Sequence, residues 1–196
     1  MNLASKKVLE RHGAKNHRIL VGAVSATGYG AIVNSSEFDD MEALGAAYDA
    51  IMADEEVITM SAQAMGAETP YVTQGSTFAT EIPLGRPQGS KGRVVAAYVS
   101  TPLPGRFEAA VGLCGQVCEI MQPHGARNCR LWQQQANGVM PDVLALLMEW
   151  DTMRSYGKSA ASVMSDPGLQ SVMALMQGSD SPVRMITSEI YTEIGG

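Results

Sequence analysis

Apolar and polar positions alternate along the chain in a way that predicts discrete elements. RVVAAYVS, bounded by Gly92 and Pro102, is rich in β-branched and aromatic residues and predicts a strand over Arg93–Ser100. Beyond Pro104, Phe107, Val111, Cys114, Cys118 and Met121 recur at the three- and four-residue spacing of one helix face. That helix should stop at His124-Gly125-Ala126. Gly125 suits the left-handed position after a helix, and a nearby His suits the carbonyl end of the dipole. CRLWQQQ then predicts a strand, ANGVMPD its turn and VLALLMEW the returning strand. A second helical pattern covers roughly 153–164, restarts at Pro167 and runs to about Met176, and PVRMITSEIYTEI closes as a long strand. The order is β-α-β-β-α-β, the ferredoxin-like pattern.

The pattern occurs twice. Sliding the chain by 112 positions lays 1–84 on 113–196 without a gap. HGAKNHR (His12–Arg18) falls on HGARNCR (His124–Arg130), EFDDMEALG (Glu37–Gly45) on EWDTMRSYG (Glu149–Gly157), and STFATEI (Ser76–Ile82) on SEIYTEI (Ser188–Ile194). One shared offset through several blocks marks an internal duplication.

The expected fold is α+β: two tandem ferredoxin-like repeats packed sheet to sheet as an intramolecular dimeric α/β barrel. Each antiparallel sheet has helices on one face and needs a cover for the other, which a second repeat supplies. The first repeat is expected over 1–84, a linker over 85–92, and the second, complete repeat over 93–196. The first repeat begins at its helix and lacks an equivalent of Arg93–Ser100, as though truncated or built on an altered sheet.

HGARNCRLW, leading from helix to strand, and LALLMEWDTMRSYG, leading into the second helix, resemble the dimeric α/β-barrel superfamily, and within it NIPSNAP-like and related uncharacterised domains. The resemblance spans nearly the whole chain at the level of fold. It implies a range of activities rather than one: cofactor-free monooxygenases, haem enzymes, isomerases and accessory proteins share the architecture.

Composition narrows the classes further. A net charge of −6 without a basic stripe argues against nucleic-acid binding. The longest apolar run, Val143–Met148, is too short for a membrane span, and the first residues read as an amphipathic helix rather than a signal, so a cytoplasmic protein is expected. Cys114, Cys118 and Cys129 are expected as buried free thiols rather than metal ligands. Phosphate-loop, dinucleotide, HExxH and paired CxxC patterns are absent, so no nucleotide, metal or other cofactor is expected.

The duplicated His12 and His124 are read first as helix-end residues, with His124 kept as a catalytic candidate beside Arg130. Arg18 and Arg130 are expected to face Glu37 and Glu149 across antiparallel strands, if the hairpins centre on Thr27–Gly28 and Val139–Met140. Places where the copies disagree are better functional candidates. Trp132, Gln134, Tyr98, Tyr191 and Glu149 are expected to line an amphipathic pocket for a small, partly apolar molecule between the sheets. A cofactor-independent monooxygenase or isomerase, and a purely structural module, are the competing classes. A homodimer of the two-repeat chain is the expected assembly.

Overall fold

The computed structural model describes residues 2–25, 30–64, 75–136 and 142–194. Among them lie six helices and seven strands, an α+β chain whose resolved strand pairings are antiparallel. The expected hairpin centres, Thr27–Gly28 and Val139–Met140, lie outside the described residues. Two compact units emerge: residues 1–21, 32–74 and 193–196 form the first, and residues 22–31 and 75–192 the second.

In the first unit α1 (Asn2–Arg11) leads into β1 (Lys15–Val24), which pairs with β2 (Ile32–Glu37); α2 (Met41–Ala53) and α3 (Glu55–Ala64) follow. Its core includes Val8, Ala14, Ile19, Leu20 and Ala47. Asp40 caps α2 by accepting from the Ala43 amide at 2.7 Å.

The second unit begins with β3 (Phe78–Ile82) and continues through β4 (Val94–Pro102), α4 (Phe107–Met121), β5 (Arg127–Ala136), β6 (Leu144–Trp150), α5 (Met153–Val163), α6 (Pro167–Gln177) and β7 (Val183–Ile194). Its strands lie in the order β7-β4-β6-β5-β3. The strand and helix positions expected from the alternation agree with these bounds to within a few residues at every element. Period-two alternation splits the sheet into two faces. One carries Val94, Ala96, Cys129, Leu131, Leu144, Leu146, Met148 and Trp150 against Ala110, Cys118, Met121, Val163 and Val172 of the helices. Trp150 meets Tyr156 edge-on, ring centroids 5.0 Å apart.

Both HGA passages end a helix as expected. Gly13 and Gly125 take φ of 90° and 97°, and the Ala14 and Ala126 amides reach back to the Leu9 and Met121 carbonyls at 3.0 and 3.1 Å. Asn16 and Asn128 follow with φ of 53° and 49°, and the strand register shifts there. The observed register corrects the expected cross-strand charge pairs. Arg18 stands opposite Ser35 and Arg130 opposite Leu147, each two positions from the expected Glu, because the register next to each hairpin differs from the expected one; the bulges re-register only Lys15 and Arg127, on their far side. Glu37 and Glu149 receive the Asn16 and Asn128 amides, at 3.1 and 2.8 Å.

Candidate functional site

The face of the second unit's sheet that turns away from α4–α6 carries the polar chemistry. Register lines up its rows. Trp132, Ala145, Val99 and Thr187 form one, and Arg130, Leu147, Ala97 and Glu189 the next. Glu149, Val95 and Tyr191 form a third. Between β5 and β7 this face is a floor of small and aliphatic side chains, with Trp132 on β5 and Tyr191 on β7.

On β5 Arg130 is held rigidly. Its Nε donates to Glu81 Oε1 at 2.9 Å and its Nη2 to Oε2 at 2.7 Å, a two-point pairing that fixes the guanidinium plane. The same guanidinium lies over the Trp132 ring, 4.4 Å from its centroid. Glu81 comes from β3, directly opposite Trp132. On β7 the Tyr191 hydroxyl donates to Glu189, and burial together with that carboxylate raises the phenol above its ordinary value.

The expected pocket residues are therefore partly brought together. Trp132, Gln134, Glu149 and Tyr191 share the face with Arg130. Tyr98 does not: it stands opposite Leu146 on the helix side, packs on the core and is pushed up to about 12 by burial and the nearby Tyr156. The reason is strand parity, because Tyr98 is an odd number of residues from Val95, Ala97 and Val99, which lie on the face away from the helices. Glu149 serves the frame, accepting from the Gly92 amide at 2.6 Å and from Asn128 while only 3% exposed.

His124 is also placed apart from Arg130. Its Nδ1 meets Ser162 Oγ at 2.8 Å and its Nε2 meets Asp166 Oδ2 at 3.1 Å, tying the end of α4 to the α5–α6 joint. His12 makes the matching contact with Asp54 Oδ2 at 2.8 Å. These bonds hold both carboxylates below their ordinary range, Asp166 chiefly through His124 and Asp54 through His12 and then Arg11. A carboxylate whose folded value lies below its unfolded one adds stability above the unfolded value, and that stability is lost as pH falls through the folded value. Asp166→Asn should therefore lower the urea midpoint most above about pH 4, the ordinary carboxylate value, and the gap to the parent should close as the pH falls below it.

A cleft of about 390 Å3 opens beside the Arg130–Glu81 pair, lined by residues that include Ile82, Leu84, Arg86, Gln88 and Cys129. It shares Arg130 with the expected set but not Trp132, Gln134 or Tyr191. Sequence reasoning missed Glu81, Glu189, Arg86 and the small floor at Ala97 and Ala145. Among the described residues no cluster of three or more His, Cys, Asp or Glu is arranged to hold a metal, and no helix is long and apolar enough to cross a membrane.

No family model and no curated protein matches this chain. Solved structures do. An anthrone oxidase-like protein matches over 98% of this chain and 84% of its own, with a TM-score of 0.61 and 15% identity. A candidate monooxygenase from Fusobacterium nucleatum subsp. nucleatum matches over 99% and 84%, with a TM-score of 0.55 and 9% identity. The likeness is one of fold.

Proposed function

We propose that the protein binds a small, flat, partly apolar molecule on the sheet face that turns away from α4–α6. One observation carries this reading: Ala97, Ala145 and Leu147 form a low floor between the Trp132–Arg130–Glu81 group and the Tyr191–Glu189 pair. Four adjacent strands separate Arg130 from Glu189 by about 14 Å, room for a fused aromatic system with a polar group at either end. The Arg130 charge is balanced by Glu81, which favours a neutral hydroxyl or carbonyl over a strong anion.

The same reading takes the chain as a tandem duplication of a ferredoxin-like unit, close to NIPSNAP-like domains. Contacts that recur at the sequence offset support it. His12–Asp54 matches His124–Asp166, and Asn16–Glu37 matches Asn128–Glu149. Arg18–Glu193 and Arg130–Glu81 are the same two positions with the glutamates exchanged between copies.

The fold likeness to an anthrone oxidase-like protein and a candidate monooxygenase favours a second reading, in which the bound molecule is oxidised by dioxygen without a cofactor. In that case the Tyr191–Glu189 pair takes the proton from a substrate hydroxyl, and Arg130 steadies the resulting oxyanion.

Titration with 2-naphthol and anthrone tests binding. Trp132→Ala removes the aromatic wall and should weaken affinity by about tenfold, the effect of losing about 1.4 kcal/mol. Equal affinity in parent and variant would sink the assignment of the site. Oxygen consumption with anthrone separates the second reading from simple binding.

A further inference from the structure

The fold uses only part of the Arg86 guanidinium. Arg86 follows β3 past a turn at Gly85, where φ is 67°, and lines the 390 Å3 cleft with its side chain 17% exposed. Its Nη2 donates to Glu119 Oε1 of α4 at 2.6 Å, and its Nη1 to Gln122 Oε1 at a longer 3.3 Å. Its Nε is buried with no hydrogen-bond partner among the described residues. Nε and Nη2 together form the edge of a guanidinium that takes a carboxylate at two points, as Arg130 takes Glu81. Glu119 engages that edge at one point only. It is also 67% exposed, so water competes for it.

The rest of the cleft says what would complete the edge. Its described lining includes two arginines and one glutamate. Glu81 is committed elsewhere: Oε1 accepts from Arg130 and from Gln88, each at 2.9 Å, and Oε2 from Arg130 at 2.7 Å. It balances Arg130 and leaves no lining carboxylate for Arg86. Ile82, Pro83 and Leu84 add an apolar wall. A dianion would be repelled by Glu81, and a wholly polar ion would leave the apolar wall bare.

From the half-used edge of Arg86 in a cleft with an apolar wall, we propose that this cleft binds a monocarboxylic acid with a small apolar body. The ligand carboxylate displaces Glu119, which turns into water, and pairs with Nε and Nη2 at once. The apolar body lies against Ile82, Pro83 and Leu84. The cleft has the size of an ordinary small-molecule pocket. It is separate from the sheet-face site, sharing Arg130 as a wall but not Trp132 or Tyr191.

Benzoate is the probe, and benzamide, similar in shape but uncharged, is its control. Each is titrated into the full chain and followed by ligand-observed NMR. Benzamide should bind about tenfold more weakly than benzoate, because charge-assisted bonds become neutral ones. Arg86→Gln should weaken benzoate about tenfold, and Arg86→Lys nearly as much, since an ammonium keeps the charge without the two-point edge. Glu119→Gln removes the competing carboxylate and should tighten benzoate about threefold, the worth of an exposed ion pair. Saturating 2-naphthol should leave benzoate bound. Equal affinity for benzoate and benzamide, parent-like binding in Arg86→Gln, or no tightening in Glu119→Gln would overturn the proposal, as would displacement of benzoate by 2-naphthol. Glu119 is a surface residue and benzamide needs no substitution, so both comparisons stand even if the Arg86 variants fold poorly.

Discussion

Gly92→Ala should destabilise the protein by about 3 kcal/mol, the upper end of the cost of overpacking, and lower the melting temperature by about 6–12 °C for a chain of this size. Gly92 is buried just before β4, where the chain passes over the end of β6. A Cβ there would meet the Trp150 backbone, with the amide nitrogen at 2.8 Å and the carbonyl group nearer still. Backbone held in a strand pairing, as Trp150 is by Val94 at the end of β6, cannot swing aside as a side chain does. Relief requires moving β4 from β6, which spoils the pairing of Val94 with Trp150 and the Gly92 amide's bond to Glu149. Gly112→Ala is the control. That position lies in α4 with nothing within 4 Å of an added Cβ, so the change should stabilise by about 0.5–1 kcal/mol. Thermal unfolding followed by circular dichroism reads both, and equal melting temperatures would refute the packing account.

Glu149→Ala should cost about 4 kcal/mol. Two buried donors, the Gly92 amide and the Asn128 side chain, lose their acceptor together, and an unsatisfied buried donor costs about 1–3 kcal/mol. Neither can turn to water, since Glu149 and Asn128 are each only 3% exposed. Glu149→Gln keeps an oxygen for one donor and opposes an NH2 to the other, so about half that loss is expected. The same position in the first copy makes the comparison sharp. Glu37 accepts from Asn16 at 3.1 Å, but Asn16 is exposed, and Glu37→Ala should cost under about 1 kcal/mol. Urea unfolding of the four proteins checks the ranking, and similar costs at Glu37 and Glu149 would show that burial does not decide the effect.

Strand and helix positions in the second unit were legible because local rules suffice for them: alternation for strands, three- and four-residue spacing for helices, and Gly125 for the stop. The partner of Arg130 was not. Arg130 stands opposite Leu147 rather than Glu149 because the register next to the hairpin differs by two positions from the expected one, and alternation alone does not fix that register; the bulge at Asn128 re-registers only Arg127. Glu81 was nevertheless in view, since ATEI and YTEI place Glu81 and Glu193 at the same point of each copy, mirroring Arg18 and Arg130. What the pattern could not say is that each arginine takes the glutamate of the other copy, because that depends on which strands pair. Tyr98 failed for a simpler reason. Aromatic character nominated it for the pocket, while counting by twos from Val95 and Ala97 puts it on the other face. Arg86 escaped notice because the cleft it lines brings β3 and the loop after it together with β5, far apart in sequence.

The central claim is that a flat molecule lies on the sheet face against Trp132. The chain has two tryptophans, and Trp150 is packed on the helix side with 1% exposure. Trp150→Phe keeps an aromatic ring against Tyr156 and leaves Trp132 as the sole indole emitter. Titrating that variant with 2-naphthol, at concentrations where binding is confirmed by calorimetry, should quench Trp132 emission along the calorimetric isotherm. Binding that leaves Trp132 emission unchanged would place the ligand elsewhere and contradict the account.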